Sequence, residues 1–334
     1  MNKKISIIFL FLVGLSLLIN SHVIFAKKVL RNNESLPSKS VEGDALRMFE
    51  ELVESKTNGE IDVRLHFNDE LGGPQTSMEN LGTGTLELYS GALSYFSALI
   101  PEELGVASLM YLFKDSDHLR RYLKSPVFQK GHDKMIKDFG IRFISTDFNG
   151  DRGPYRVWAS NRPHVKIDDF VGTKMRLWPN DMAIRAWKHI GAVPNIMPWN
   201  EVYLALRQGR VDAVTSGVNG LHDSKMTEVA PYVTVLRQFP QLWPMTISEK
   251  IWQSLSRSQQ QAVVDASNQS TAYYAKVTYD QADKNIAAMI QTNDAVWIQI
   301  NTDSFVEKMK PLYNELIKEG VIRQDVYDAV MDLR

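Results

Sequence analysis

Residues 170–219 read FVGTKMRLWPNDMAIRAWKHIGAVPNIMPWNEVYLALRQGRVDAVTSGVN. Met197-Pro198-Trp199 divides the stretch into two turn-and-helix units. Lys174 to Trp178 reads as a strand, Asn180 as the N-cap of a helix, and Gly191 as its stop. Ile196 to Pro198 is a short extended piece. Asn200 is expected to cap a second helix that packs through Val202, Ala205 and Leu206 and ends at Gly209, and Val211 to Thr215 reads as the next strand. This alternation is that of an α/β fold. Just upstream, Tyr155 to Ser160 reads as another strand. Two arginines, Arg156 and Arg176, therefore stand on strands amid apolar and aromatic neighbours. A guanidinium keeps its proton under all ordinary conditions, so an arginine in such a setting needs an anionic partner. We read the pair as the anchor for a carboxylate ligand in a cleft.

Towards the N-terminus the same alternation continues. Val29 to Asn33 is a strand. A helix from Val41 to Lys56 has Ser40 as N-cap, acidic Glu42 and Asp44 in its first turn, and an apolar face through Ala45, Leu46, Phe49 and Val53. Ile61 to Phe67 alternates as a strand. A helix follows Gly72-Gly73-Pro74, and Leu86 to Ser90 is a short strand, so this half implies a largely parallel sheet with right-handed crossovers. Ser125-Pro126 separates two helices, and Ile141 to Phe148 is expected as a strand. The turn cluster Asn149-Gly150-Asp151-Arg152-Gly153-Pro154 is where the chain is expected to pass between domains.

Towards the C-terminus there is no glycine from Leu221 to Glu319 and no proline from Met245 to Lys310. Ser256 and Gln259 form a capping-box pattern. A helix running from there to Ile290 would be roughly 50 Å long and would cross both domains; a break near Ser270-Thr271 is the alternative. A strand at Val296 to Ile300 and two amphipathic helices complete the chain.

Composition limits the function. The chain has 334 residues, 44% of them hydrophobic and 23% charged, with a formal net charge of −1. That is enough for two globular domains and offers no basic patch for nucleic acid or an anionic membrane surface. Residues 1–26 read as a secretory signal peptide: Lys3 and Lys4, an apolar run from Ile5 to Ile19, and a small-residue cleavage region ending at Ala26. The chain has no cysteine, which removes disulfides, thiolate metal sites and thiol nucleophiles. The histidines never fall at metal-binding spacing, and neither a P-loop nor a G-x-S-x-G elbow is present. No cofactor, metal or catalytic residue is expected, and the chain is not read as an enzyme.

The combined spacing resembles the substrate-binding proteins of TRAP transporters, the DctP-like receptors. The resemblance rests on Val171-Gly172-Thr173-Lys174-Met175-Arg176, Gly191-Ala192-Val193-Pro194, Glu201-Val202-Tyr203-Leu204-Ala205-Leu206, Gly209, Val211-Asp212, Tyr155-Arg156 and the long late helix. It implies a type II periplasmic-binding fold, with one lobe at 27–152 plus 241–283 and the other at 153–240 plus 284–334. It implies a monomeric periplasmic receptor that closes on an organic acid and delivers it to small and large membrane subunits, with no nucleic-acid partner. Arg176 corresponds to the arginine that grips the ligand carboxylate, Arg156 to a second ligand arginine, and Trp199 to an aromatic against the ligand. Trp178 lies near another contact. Ser216 falls near a position that is often asparagine in the family, and Asn219 lies three residues further on. From position alone, Trp243 at a strand end and Asn33 and Glu34 after the first strand join the expected site. A ligand sensor for a signalling partner, or an enzyme on the same scaffold, remain open at this stage.

Overall fold

The structure is a computed structural model and describes residues 27–334; the signal peptide read at 1–26 lies outside the described residues. In chain order the elements are β1 (Lys28–Glu34), α1 (Val41–Lys56), β2 (Ile61–His66), α2 (Pro74–Thr83), β3 (Leu88–Ser90), α3 (Pro101–Leu104), α4 (Ser116–Leu123), α5 (Pro126–Phe139), β4 (Ile141–Phe143), β5 (Arg156–Ser160), β6 (Lys174–Leu177), α6 (Asp181–Ile190), β7 (Val193–Ile196), α7 (Val202–Arg207), β8 (Ala213–Gly217), α8 (Val218–Asp223), β9 (Tyr232–Val235), β10 (Met245–Ser248), α9 (Glu249–Ser254), α10 (Arg257–Asn293), β11 (Val296–Gln299), α11 (Asp303–Lys318) and α12 (Gln324–Asp332).

Two sheets result, each the centre of one lobe. The first has strand order β2-β1-β3-β10-β4 and the second β11-β9-β5-β8-β6-β7. Strands β1, β2 and β3 are parallel, as their helical crossovers require. The late strand β10 enters between β3 and β4, antiparallel to both. In the second sheet β6 runs parallel to β7 and β8, while β5 is antiparallel to β8 and β9. The local signals hold: Ser40 Oγ accepts from Gly43 N at 3.1 Å, and Asn180 Oδ1 accepts from Ala183 N at 2.8 Å. Three expectations shift. Asn200 does not cap α7 but lies inside a single 3₁₀ turn, Trp199–Glu201. Strand β4 stops at Phe143, because beyond it the chain pairs only through Ile144 N to Met245 O. Strand β8 begins at Ala213 rather than Val211: its paired register with β5 and β6 starts there, and Asp212 N–H meets only the very start of β6, donating to Lys174 O at 2.7 Å.

The chain passes between the sheets along two segments that lie side by side. Residues 149–155 run antiparallel to 236–244, with a bridge between Asp151 and Leu242 and with Arg152 N donating to Gln241 O at 2.9 Å. The approach is close. A Cβ on Gly150 would sit 2.3 Å from the Trp243 carbonyl, so only glycine fits there. The third passage is α10. It is one continuous helix of 37 residues, about 55 Å long, and it does not break near Ser270. There the hydroxyls of Ser270 and Thr271 bond back to Ser267 O instead of interrupting the ladder. Its first half packs on α1 and its second half near α8. At the C-terminus, α11 packs on α6 while α12 packs on α4 and α5, so this segment touches helices from both halves of the chain.

Candidate functional site

Between the two sheets lies a cleft, partly open to solvent and with a cavity volume of about 30 Å³, lined by Glu34, Ser35, Leu36, Ala92, Tyr95, Arg152, Arg156, Arg176, Trp178, Trp199, Thr215, Ser216 and Gln241. The position follows from the topology. β1, β6 and β8 all end here at their carboxyl ends, and β5 begins here because it is antiparallel to β8, with Arg156 opposite Gly217. Side chains just beyond strand ends converge in such a crevice.

The cavity is rich in positive charge. Arg156 is 5% and Arg176 3% exposed. Arg156 donates to Gln241 Oε1, to Thr215 O at 2.9 Å and to Thr215 Oγ1 at 2.7 Å. It lies against the rings of Trp178 and Phe239, with 5.6 and 4.9 Å to their centroids. Its Nε, like Trp178 Nε1, is buried with no partner. No carboxylate touches this guanidinium among the described residues. Burial, together with the like charges of Arg152 and Arg176, opposes its charge and pulls its pKa down to about 9. An arginine holds its proton regardless, so that opposition is relieved by an anion.

Arg176 is placed in the same way. Its Nε donates to Met197 O at 3.0 Å, and its guanidinium lies 5.2 Å from the centre of Trp199. Burial lowers its pKa, with partial relief from the Tyr95 hydroxyl and the Asp69 carboxylate. Trp199 is itself fixed, since its Nε1 donates to Ser224 Oγ at 2.9 Å.

The third arginine is held differently. Arg152 Nη2 meets Glu42 Oε1 at 3.3 Å, and the same oxygen accepts from the Tyr274 hydroxyl at 2.8 Å. Burial works against the Arg152 charge, but Tyr274, Glu42, Tyr95 and Glu34 outweigh it and keep its pKa raised. Glu34 is 2% exposed. Its Oε1 accepts from Leu36 N at 3.1 Å and its Oε2 from Trp243 Nε1 at 2.8 Å. Burial, and then the neighbouring Glu42, raise its pKa to about 8, against the lowering effect of Trp243, Arg152 and the Leu36 amide.

Of the residues expected from sequence, Arg176, Arg156, Trp199, Trp178, Ser216 and Glu34 come together on the cavity wall. Three do not line it. Asn33 is turned into the fold, where its amide donates to Gly72 O and Ser77 Oγ at 2.7 and 2.9 Å. Alternation along β1 explains this: if Glu34 faces the cleft, Asn33 cannot. Asn219 is spent on α10, donating to Thr278 O at 3.0 Å. Trp243 lies behind the wall, packed on Tyr274 and bonded to Glu34. Arg152, Tyr95, Thr215 and Gln241 were not found by sequence reasoning. Tyr95 follows the end of β3, a usable signal, and Thr215 adjoins the expected Ser216. Arg152 sits in a polar turn and reads like any solvated arginine.

Residues 32–319 match the family described as bacterial extracellular solute-binding protein, family 7. The C4-dicarboxylate-binding periplasmic protein DctP of Rhodobacter capsulatus is 25% identical over 91% of this chain and 90% of its own length. The sialic acid-binding periplasmic protein SiaP of Vibrio cholerae is 28% identical over 83% and 84%. Among solved structures, a TRAP periplasmic solute-binding protein from Haemophilus influenzae with bound L-gulonate superposes with a TM-score of 0.83 at 24% identity, covering 92% of this chain and 100% of that one. Their shared architecture is the two-lobed periplasmic-binding fold.

Proposed function

The chain belongs to the bacterial extracellular solute-binding protein family 7, and from that premise we propose that it is the periplasmic receptor of a TRAP-type secondary transporter. It captures a small organic acid and carries it to the membrane subunits. The observation that supports this most directly is the pair of buried arginines, Arg156 and Arg176, that share one cavity and form no ion pair with an acid among the described residues. A guanidinium fork matches a carboxylate through two parallel hydrogen bonds. The ligands named for the related proteins, a C4-dicarboxylate, sialic acid and L-gulonate, have a carboxylate in common.

The proposed mechanism is hinge closure. Lobes at 27–152 plus 241–283 and at 153–240 plus 284–334 separate to admit the ligand and close on it, bending where 149–155 runs beside 236–244. Hydrogen bonds to a charged group contribute about 1.5–3 kcal/mol each, whereas micromolar affinity needs about 8 kcal/mol. One bidentate pair is therefore too little, and contacts from both lobes must act together; this favours the closed state only when ligand is present. The receptor works as a monomer, with the small and large membrane subunits as partners. Isothermal titration against a panel of organic acids tests the reading. One class of acid should bind, and Arg176→Ala should abolish binding while the circular dichroism spectrum stays unchanged. Undiminished affinity in that variant would refute the assignment.

A further inference from the structure

A second cavity lies away from the cleft, where α11 and α12 meet the turn at 109–113. Its volume is about 340 Å³, against about 30 Å³ between the lobes. That falls in the range of small-molecule sites, about 300–1,000 Å³. One wall is α11, which turns Val306, Lys310, Tyr313 and Asn314 towards it at the spacing of a single helix face. The other wall is Tyr327 and Met331 of α12, followed by Arg334, and Tyr111 with Leu112 completes the lining. The space is preformed because two of its rings are tied down. Tyr111 has a left-handed backbone, φ 61°, a conformation that a bulky residue keeps only when its surroundings impose it. Its N–H donates to Gln238 O at 2.6 Å and its hydroxyl to Leu236 O at 3.1 Å. The Tyr313 hydroxyl donates to Met110 O. Both phenol protons are thus spent on backbone, and neither ring is free to turn inwards and fill the gap.

We propose that this cavity is a second binding site, separate from the cleft, for a small monocarboxylic acid with a flat apolar body, of the arylalkanoate class. The body is set by the walls. Three tyrosine rings, Leu112, Val306 and Met331 suit an aromatic ring, which packs on other rings edge to face and against a thioether. The acid group is set by the charge. Lys310 and Arg334 are the ionic side chains of the lining, both are cations, and no acid lines the cavity with them. Lys310 does meet Glu307 at 2.5 Å on the exposed face of α11, but a solvated pair of this kind holds its partners weakly and can share the ammonium with a ligand. A sugar acid fits less well, because its hydroxyls would lose water against Leu112, Val306 and Met331. A protein face fits less well too, since two helix faces and a turn bound a small concave space.

The test uses the mature chain carrying Arg176→Ala, so that the cleft is silent, with 3-phenylpropionate as the probe. Titration followed by amide NMR should show saturable binding with a Kd below about 1 mM and shifts centred on residues 109–113, α11 and α12. The neutral isostere, 3-phenylpropionamide, should bind roughly fivefold more weakly, and gluconate should cause no shift at these residues. Lys310→Gln combined with Arg334→Gln should erase the preference for acid over amide with the circular dichroism spectrum unchanged. Met331→Trp fills the cavity and should abolish binding. Should that variant fail to fold, Asn314→Trp blocks the same space from an exposed position of α11. Absence of saturation, equal binding of acid and amide, or shifts that persist in the filled variant would each overturn the proposal. Binding present in the wild type but lost with Arg176→Ala would place the probe in the cleft and overturn it as well.

Discussion

Replacing Arg156 by methionine should make the ligand-free protein more stable and the receptor useless. Methionine fills a similar volume between Trp178 and Phe239 without charge. A pKa drawn from 12.5 to about 9 corresponds to about 5 kcal/mol set against the charged side chain. Its hydrogen bonds to Gln241 Oε1, Thr215 O and Thr215 Oγ1 offset part of this, at about 1 kcal/mol net each. The balance is about 2 kcal/mol in favour of the variant, in line with other buried charges replaced by apolar side chains. For a chain of this size that is a rise of about 4 °C in melting temperature. Ligand binding moves the other way. Loss of two charge-assisted hydrogen bonds removes about 3–6 kcal/mol, or at least a hundredfold in affinity. Differential scanning fluorimetry with and without ligand reads both effects. The variant should melt above the wild type in buffer. At ligand near 100 times the wild-type dissociation constant, where binding adds about 2.7 kcal/mol, it should melt below it. A variant that melts several degrees below the wild type in buffer, with its fold intact, would show that the guanidinium is a structural group and refute the reasoning.

Other consequences can be measured separately. Glu34 is faced by Glu42, Arg152, Trp243 and Tyr89, and its folded pKa of about 8 lies above its ordinary 4.5. Its contribution to stability is therefore complete below the unfolded value and is lost as pH rises through about 8. Melting temperatures from about pH 5 to 8 should fall less steeply in Glu34→Gln than in the wild type, and equal slopes would contradict the assignment. Asn180 caps α6 and also donates to Ser97 Oγ and Ser108 Oγ at 2.6 and 3.0 Å, tying the second sheet's helix to the first half of the chain. Asn180→Ala should lose about 1 kcal/mol as a cap and also weaken ligand binding with the arginines untouched. Small-angle scattering of that variant with ligand should show a larger radius of gyration, and an unchanged affinity would confine Asn180 to capping.

The sequence disclosed those features whose causes are local. Ser40, Asn180 and Ser256 cap the helices assigned to them, because a cap is decided by a few neighbouring residues. Arg156 and Arg176 were legible because a charge in an apolar strand is an anomaly with few solutions. Strands β9 and β10 were not, since each is short and defined by partners distant in sequence; β10 pairs with β3 across about 155 residues. Arg152 was hidden for the opposite reason to Arg176: its own neighbourhood, Gly150 to Pro154, is polar, and only folding brings it beside Glu42 from 110 residues away. Asn33 and Glu34 show the limit of positional reasoning. A strand end points at the cleft, but the pleat admits only alternate side chains.

The late strands also set the order in which the molecule can be completed. Made from its N-terminus, the chain has β1 to β4 in hand by residue 143, yet β4 does not touch β3: β10, at Met245–Ser248, is the strand that joins them. The second sheet likewise waits for β11 beyond residue 295 to cover β9. Neither lobe can therefore mature during the first two-thirds of synthesis, and a nascent chain of that length exposes unfinished sheet edges. For a protein proposed to act across a membrane this delay is useful. The polypeptide stays threadable until most of it has been made, and β10, α10 and β11 are the elements that then complete both halves.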